Sequence, residues 1–331
     1  MRVFQFLFAP FPRSLISFLT ATVENFLCEH ALADKKICIA LSGGVDSVVL
    51  LDTVVKLRPT HNLEVEAIHI HHGLSPNADK WASFCEERCN AAGVALATLR
   101  VTVKQGNATG LEAAARTARY TAFALHGARL LLLAQHADDQ AETVLHQLLR
   151  GTGLKGLSGM GAVRRVSSEQ TIFRPLLTVT RDDITATAAT RGLTWIEDES
   201  NLDTQYTRNF LRAEIMPRLA ERFPHYRASL ARAAHHASDA DELLENLAKI
   251  DLRFDGEHAE ADLLDALPRK RQTNALYHWL RWHGVSNVSQ QQIESWVEQL
   301  FRPAPVSKPQ QAGGHNFIIT RRKNRLQLTF L

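Results

Sequence analysis

The sequence is short of cysteine. Four occur in 331 residues, Cys28, Cys38, Cys85 and Cys89, and no two form a CxxC pair. That spacing gives no support to a zinc ribbon or an iron–sulfur site. Such sparse usage fits a reducing, cytoplasmic setting, and Cys85 and Cys89, four apart on one predicted helix face, read as buried free thiols. Long apolar runs are missing too, so no membrane span and no membrane partner are expected. The apolar start lacks the features of a secretory leader, because only Arg2 precedes it and Pro10 and Pro12 interrupt it. Residues 1–13 read instead as a loosely attached extension or an upstream start. Charge of one sign is not in excess: 38 Lys and Arg against 35 Asp and Glu leave +3. No strong basic field draws nucleic acid from afar, and any RNA binding must rest on local patches. There is no internal repeat and no long low-complexity tract.

What is present is an alternation. Ser14 to about Leu32 is helical in pattern, with Leu15, Phe18, Leu19 and Val23 on one side. The short apolar run Lys36–Leu41 (KICIAL) suits a buried strand, and a helix follows from Asp46 to about Leu57. Leu63–His71, Val94–Val103 and Leu130–Ala134 read as strands, with Pro76–Ala92, Gly110–Gly127 and Ala137–Arg150 as helices. Strands alternating with helices predict an α/β domain whose parallel sheet is covered on both faces.

Beyond Arg150 the texture changes. Gly151–Arg165 (GTGLKGLSGMGAVRR) is rich in glycine and basic, and reads as a mobile loop. Thr171–Leu176 reads as a short strand entering an RPLL corner, followed by a helix, a second short strand and the polar stretch EDESNLDTQYTRN. From Arg208 the chain is mainly helical, with Pro217 interrupting the run. A separate helical module is expected from about Ser238, as Asp241–Leu252, Ala261–His283 and Ser289–Phe301. RPAPVSKPQQAGG is linker-like, and two strand-like runs around a polar turn close the chain. The predicted organisation is an extension (1–13), an α/β catalytic domain (14–230) and a small, mainly helical C-terminal domain (238–331) ending in a β-hairpin.

Ser42-Gly43-Gly44-Val45-Asp46-Ser47 stands between the first strand and its helix. Ligands of open α/β sheets sit at the carboxyl ends of strands, beside helix N-termini. Glycines let the backbone approach a phosphate, free N–H groups and the helix dipole favour the anion, and Ser42 and Ser47 add hydroxyls. Asp46 repels phosphate unless it holds a cation, and a carboxylate that places magnesium against a polyphosphate resolves the conflict. Unlike the Walker loop, the segment carries no lysine. It resembles the pyrophosphate loop of the N-type ATP pyrophosphatases, which implies a Rossmann-like sheet and cleavage between the α- and β-phosphates with an adenylated intermediate. GMP synthetase, NAD synthetase, argininosuccinate synthetase and the tRNA thiolases share that loop, so substrate must be read elsewhere.

Five further segments narrow it. In the second strand Ile68 and Ile70 face one way, His69 and His71 the other. Leu111–Tyr120 (LEAAARTARY) spaces Glu112, Arg116 and Tyr120 one turn apart, a spacing that an ordinary surface ion pair also satisfies. Gln135–Thr143 (QHADDQAET) opens where the fourth strand ends, and Asp139 and Glu142 project together from the first helical turn. Three acids beside a phosphate loop call for a balancing cation, either magnesium or an amine substrate. Arg150, Lys155, Arg164 and Arg165 sit on or beside the glycine segment, where RNA readers place side chains against unstacked bases. Arg208 and Arg212 share a helix side separate from Leu211, Ile215 and Leu219, as on a solvated basic face.

These stretches, in this order from Cys38 to Leu219, resemble the tRNA(Ile)-lysidine synthetase family, with weaker similarity in LDALPRKRQTNALYHWLR. The resemblance implies a ligase that joins L-lysine to the wobble cytidine of the isoleucine tRNA with a CAU anticodon, consuming ATP and releasing AMP and pyrophosphate. It implies an ATP site at Ser42, Gly43, Gly44, Val45, Asp46 and Ser47, extended by Ile68, His69 and His71. It further implies magnesium at Asp46, lysine held by Asp139 and Glu142, and a catalytic set of Asp46, Arg116, Asp139 and Glu142. The RNA-facing residues implied are Arg150, Lys155, Arg164, Arg165, Arg174, Arg208 and Arg212. Longer members of the family carry a further C-terminal domain, and this chain resembles a shorter form. The sulfur-handling CxxC pairs common in tRNA thiolases are missing here.

Overall fold

The computed structural model describes residues 13–103, 108–199, 203–254, 259–260, 263–285, 288–301, 309–322 and 325–331. The expected extension, but for Arg13, lies outside the described residues, as do 200–202 of the polar stretch and 302–308 of the linker-like one. The chain divides into two compact units, Met1–Ala234 and His235–Leu331.

The first unit begins with α1 (Arg13–Glu29), β1 (Lys36–Ala40), α2 (Val45–His61), β2 (Glu64–His71), α3 (Ala78–Ala92) and β3 (Ala95–Arg100). It continues through α4 (Ala108–His126), β4 (Leu130–Leu132), α5 (Ala137–Leu149), α6 (Leu154–Leu157), β5 (Val163–Arg165) and β6 (Thr171–Phe173). It then runs through α7 (Arg181–Thr190), α8 (Thr207–Phe210) and α9 (Met216–Arg222) into α10 (Tyr226–Asp251). The strand order is β3-β2-β1-β4-β6-β5. Every neighbouring pair is parallel except β5 with β6. Ile37, Cys38 and Ile39 of β1 are all buried, as expected of a central parallel strand covered on both faces. From β1 the sheet grows one way through β2 and β3, and the other way through β4. The switch point where ligands bind in such sheets therefore lies beyond the carboxyl ends of β1 and β4.

Several expectations change in detail. In α1 the buried stripe is Leu19, Val23 and Leu27, at four-residue spacing, whereas Phe18 is 51% exposed. One residue of offset turns a helical side chain by about 100°, which takes Phe18 off the stripe. The second short strand after α7 does not form. Residues 193–198 carry no strand, and Ile196 spends its N–H on the Gly43 carbonyl at 2.9 Å. The glycine segment is not a mere loop: it folds into the single turn of α6 and then into β5, which extends the sheet. Gln140 clasps it, donating to the Met160 carbonyl at 3.1 Å and accepting from the Met160 N–H at 2.8 Å. Leu211–Ile215, between α8 and α9, is a π-helical turn. Pro217 sits in the first turn of α9, where its missing N–H costs nothing.

The second unit packs the end of α10, a 3-10 turn (Leu263–Ala266), α11 (Arg269–Trp282) and α12 (Gln290–Leu300) against an antiparallel sheet. The expected span Ala261–His283 is split by Pro268 into that turn and α11. The closing hairpin, β8 (Phe317–Arg322) with β9 (Arg325–Phe330), gains a third strand, β7 (Gln310–Gly314), from the linker-like stretch. Trp279, Trp296, Leu276 and Ile319 centre its core. Arg281 bridges to Asp241 at 3.1 Å, which fastens α10 to α11. No helix among the described residues is long and apolar enough to cross a membrane.

Candidate functional site

The loop Ser42–Ser47 is held from within. The Ser47 hydroxyl accepts from the Ser42 N–H at 3.2 Å and donates to the Gly44 carbonyl at 2.9 Å. Ser47 is thus a fastener of the loop, and the Ser42 hydroxyl accepts from the Gly44 N–H at 3.3 Å and lies 3.1 Å from the Ser47 hydroxyl. Gly43 has φ +89°, a region L side chains rarely enter. A Cβ there would stand 2.8 Å from Ile196 Cδ1 and 3.3 Å from Cys85 Sγ. Gly43→Ala is therefore expected to lower stability by about 1–3 kcal/mol and to weaken ATP binding. Urea unfolding and nucleotide titration check it, and an unchanged midpoint would show that the loop tolerates the side chain.

Carboxylates gather opposite the loop because α2 and α5 start at neighbouring strands β1 and β4. His136, 2% exposed in its side chain, lies at their centre. Its Nε2 is 3.6 Å from Asp46 Oδ1 and 3.5 Å from Asp139 Oδ2, and its Nδ1 is 3.6 Å from Asp138 Oδ2. Burial alone would lower the imidazole's pKa, but the Asp138, Asp139 and Asp46 carboxylates outweigh it and raise it. Burial pushes the Asp46 carboxyl up against the pull of His136 and Arg181, and Asp46 Oδ1 is buried without a hydrogen-bond partner among the described residues. An orphaned carboxylate oxygen beside a phosphate loop fits a hard divalent cation such as magnesium.

Arg212 closes the other side. It donates to Glu142 Oε1 at 2.7 Å and Oε2 at 3.0 Å, and to Asp139 Oδ1 at 3.2 Å. Glu142 is 3% exposed, and its burial raises its carboxyl pKa despite Arg212. The π turn explains why the sequence pattern misplaced Arg212. An α-helical period assigns it to a solvated face beside Arg208, whereas a wider turn changes which way each side chain points.

Asp138, one acid of the QHADDQAET stretch, ties the cluster down. It accepts from the Arg181 N–H at 2.8 Å and pairs with the Arg227 guanidinium. Burial would raise its carboxyl, but His136, the Arg181 N–H and Arg227 outweigh that and hold it well below the ordinary carboxylate range. Its stabilising contribution is therefore full above the unfolded carboxylate pKa of about 4, and fades as pH falls through the folded value. Asp138→Asn is expected to destabilise by about 1–3 kcal/mol at neutral pH, with the gap to wild type shrinking in acid. Melting at a series of pH values measures it, and a gap that grew in acid would contradict the assigned role.

The other predicted residues fall into three places. Ile68 and His69 lie in the core beneath the loop. The Ile68 carbonyl accepts from Leu41 N–H at 2.9 Å, and His69 Nδ1 lies 2.8 Å from the Leu41 carbonyl. Only a protonated Nδ1 can donate there, and burial lowers the pKa of His69, so this side chain supports the loop as a neutral ring. His71 is buried and directs Nε2 to Asp79 at 3.1 Å, a carboxylate also held by Arg100. Arg116 and Arg164 flank the Tyr120 ring, at 5.0 and 5.8 Å from its centroid. The side chain of Glu112, the other expected partner of Arg116, lies outside the described residues. Arg150, Lys155, Arg164 and Arg165 are exposed, and Arg208 is half-buried. Arg174 corrects its expectation as an RNA contact: it is 2% exposed and donates to Gln135 Oε1 and, at 2.7 Å, to the Gly161 carbonyl. A guanidinium so enclosed is a strut beneath β5.

The strand order and the loop at the switch point place the first unit among the PP-loop α/β domains, and the family model described as a PP-loop domain matches residues 17–219. A second model, described as the TilS substrate binding domain, matches residues 260–327. The tRNA(Ile)-lysidine synthase of Burkholderia pseudomallei is 45% identical over 276 residues, covering 81% of this chain and 56% of that protein. The one from Coxiella burnetii is 37% identical over 322 residues, 96% of this chain and 69% of that protein. The chain belongs to the tRNA(Ile)-lysidine synthase family. It spans just over half the length, 56%, of the Burkholderia relative. Among solved structures, the U34-tRNA thiolase NcsA of Methanococcus maripaludis matches 67% of this chain and 79% of its own with TM-score 0.57 at 16% identity, a likeness of fold alone.

Proposed function

We propose that this chain is a cytoplasmic ligase that attaches L-lysine to C2 of the wobble cytidine of the isoleucine tRNA with a CAU anticodon, using ATP and magnesium. The observation that carries the reading is the meeting of a lysine-free phosphate loop with Asp139 and Glu142, closed by Arg212, at one switch point. Two carboxylates against one guanidinium leave the pocket one charge short, which suits a single ammonium and disfavours a neutral side chain.

In this mechanism the ATP polyphosphate lies on the N–H groups of Gly43–Ser47. Asp46 would hold magnesium, which neutralises polyphosphate charge when bound. The cytosine O2 attacks the α-phosphate and pyrophosphate leaves. The lysine ε-ammonium, held by Asp139 and Glu142, must shed a proton before its nitrogen attacks C2, and Glu142, with its raised pKa, is the acceptor on that side. AMP then departs with the former O2. The protein contributes positioning and charge balance, with no covalent nucleophile. Residues 14–230 act as the catalytic domain and 238–331 as a tRNA-binding domain. Arg150, Lys155, Arg164, Arg165 and Arg208 face the RNA, with Arg116 beside the reacting base.

Pyrophosphate release from ATP tests the adenylation step. It is expected only when the CAU-anticodon isoleucine tRNA is supplied, with lysine dispensable. Release without any tRNA would point to a small-molecule synthetase instead.

A further inference from the structure

Three ligand-bearing side chains that the mechanism does not use converge elsewhere on the sheet. Cys38 of β1 and Glu66 of β2 are register partners in a parallel pair, so their side chains stand side by side on one face. His126 is the last residue of α4, a helix that covers the same face through Phe123, which shares a core cluster with Cys38. Cys38 Sγ, a Glu66 carboxylate oxygen and a His126 ring nitrogen all lie within 4.8 Å of one another. His126 Nδ1 is buried and has no hydrogen-bond partner among the described residues. Cys38 is 1% exposed. Lys36 Nζ holds Glu66 Oε2 at 2.9 Å, which leaves the second carboxylate oxygen for another partner.

We propose that Cys38, Glu66 and His126 form a site for one zinc ion, with water in the fourth position. A thiolate, an imidazole and a carboxylate suit zinc and are a poor set for magnesium, so the site differs in chemistry from Asp46. It also differs in place: Cys38 precedes Ser42 by four residues, about 13 Å along an extended chain. Burial pushes the Cys38 thiol up to about 12, so without a metal it is protonated and inert as a nucleophile. On binding, the thiol proton passes to solvent, and the thiolate and carboxylate neutralise the divalent charge. Zinc bonds of about 2.0–2.3 Å to donors that lie within 4.8 Å of one another would tie β1, β2 and the end of α4 together. The ion is then a clip on the strand that carries the phosphate loop.

Cobalt(II) titration of the full chain reads the site, because a thiolate ligand gives a near-ultraviolet charge-transfer band that nitrogen and oxygen donors do not. One equivalent of cobalt is expected to raise the band, and zinc to displace it. Zinc, but not magnesium, should raise the melting temperature by about 5–10 °C. The band should vanish in Cys38→Ser and persist in Cys28→Ser. His126→Gln, expected to bind zinc at least tenfold more weakly, serves as the second variant should Cys38→Ser fail to fold. A wild-type chain without the band, a band that survives Cys38→Ser, or zinc affinity unchanged in His126→Gln would overturn the proposal.

Discussion

Asp46→Asn is expected to lower tRNA-dependent pyrophosphate release by about 10²–10³-fold while leaving the chain folded. The carboxylate sits in the first turn of α2, where burial disfavours its charge and Oδ1 has no donor among the described residues. Its ionised form is thus unfavourable to the fold by itself, and its use must lie in what it holds. The amide keeps size and shape but binds a hard cation poorly. Loss of the attraction between Asp46 and His136 works the other way on stability, so the melting temperature should move little. Pyrophosphate release and melting, measured side by side, decide the matter. Activity within a few-fold of wild type would remove Asp46 from the proposed cation site.

Glu142→Gln should separate the two half-reactions. Glu142 is buried and takes two hydrogen bonds from Arg212, so the amide leaves that guanidinium half-paired and the pocket without its ε-ammonium partner. Breaking a buried charge pair of this kind costs about 2–4 kcal/mol, and lysine use is expected to weaken about 30- to 700-fold. Adenylation should survive within several-fold, because Glu142 lies on the Arg212 side of the cluster and the phosphate loop is fastened by its own serines. Asp139→Asn should show the same split. Equal loss of both steps would mean that the acids serve the nucleotide and not the amine. The readout is lysine concentration dependence, with adenylated tRNA accumulating in the variant.

Much of this was visible in the sequence because the signals are local. Apolar runs such as KICIAL, followed at once by a glycine pair, announce a buried strand and its loop, and QHADDQAET directly after LLLLA places acids at a strand's carboxyl end. What escaped depends on distance along the chain or on a departure from regular geometry. Arg212 reaches Glu142 across 70 residues, from within a π turn that a regular helical period does not anticipate. Arg174 carries the charge of an RNA contact, yet its surroundings, Gln135 and Gly161, come from other strands and loops. Residues 193–198 have strand-like composition, but without a ladder partner they serve instead to brace Gly43. Cys38, Glu66 and His126 meet only because β1 and β2 pair in register and α4 ends over them. A spacing rule for cysteine pairs cannot find ligands drawn from three elements.

The most direct test of the central claim is the nucleoside mass of the CAU-anticodon isoleucine tRNA after incubation with this chain, ATP, magnesium and L-lysine. The proposed chemistry predicts a wobble cytidine heavier by one lysine less one water, only when lysine is present. An unmodified cytidine, or the same mass change without lysine, would contradict it.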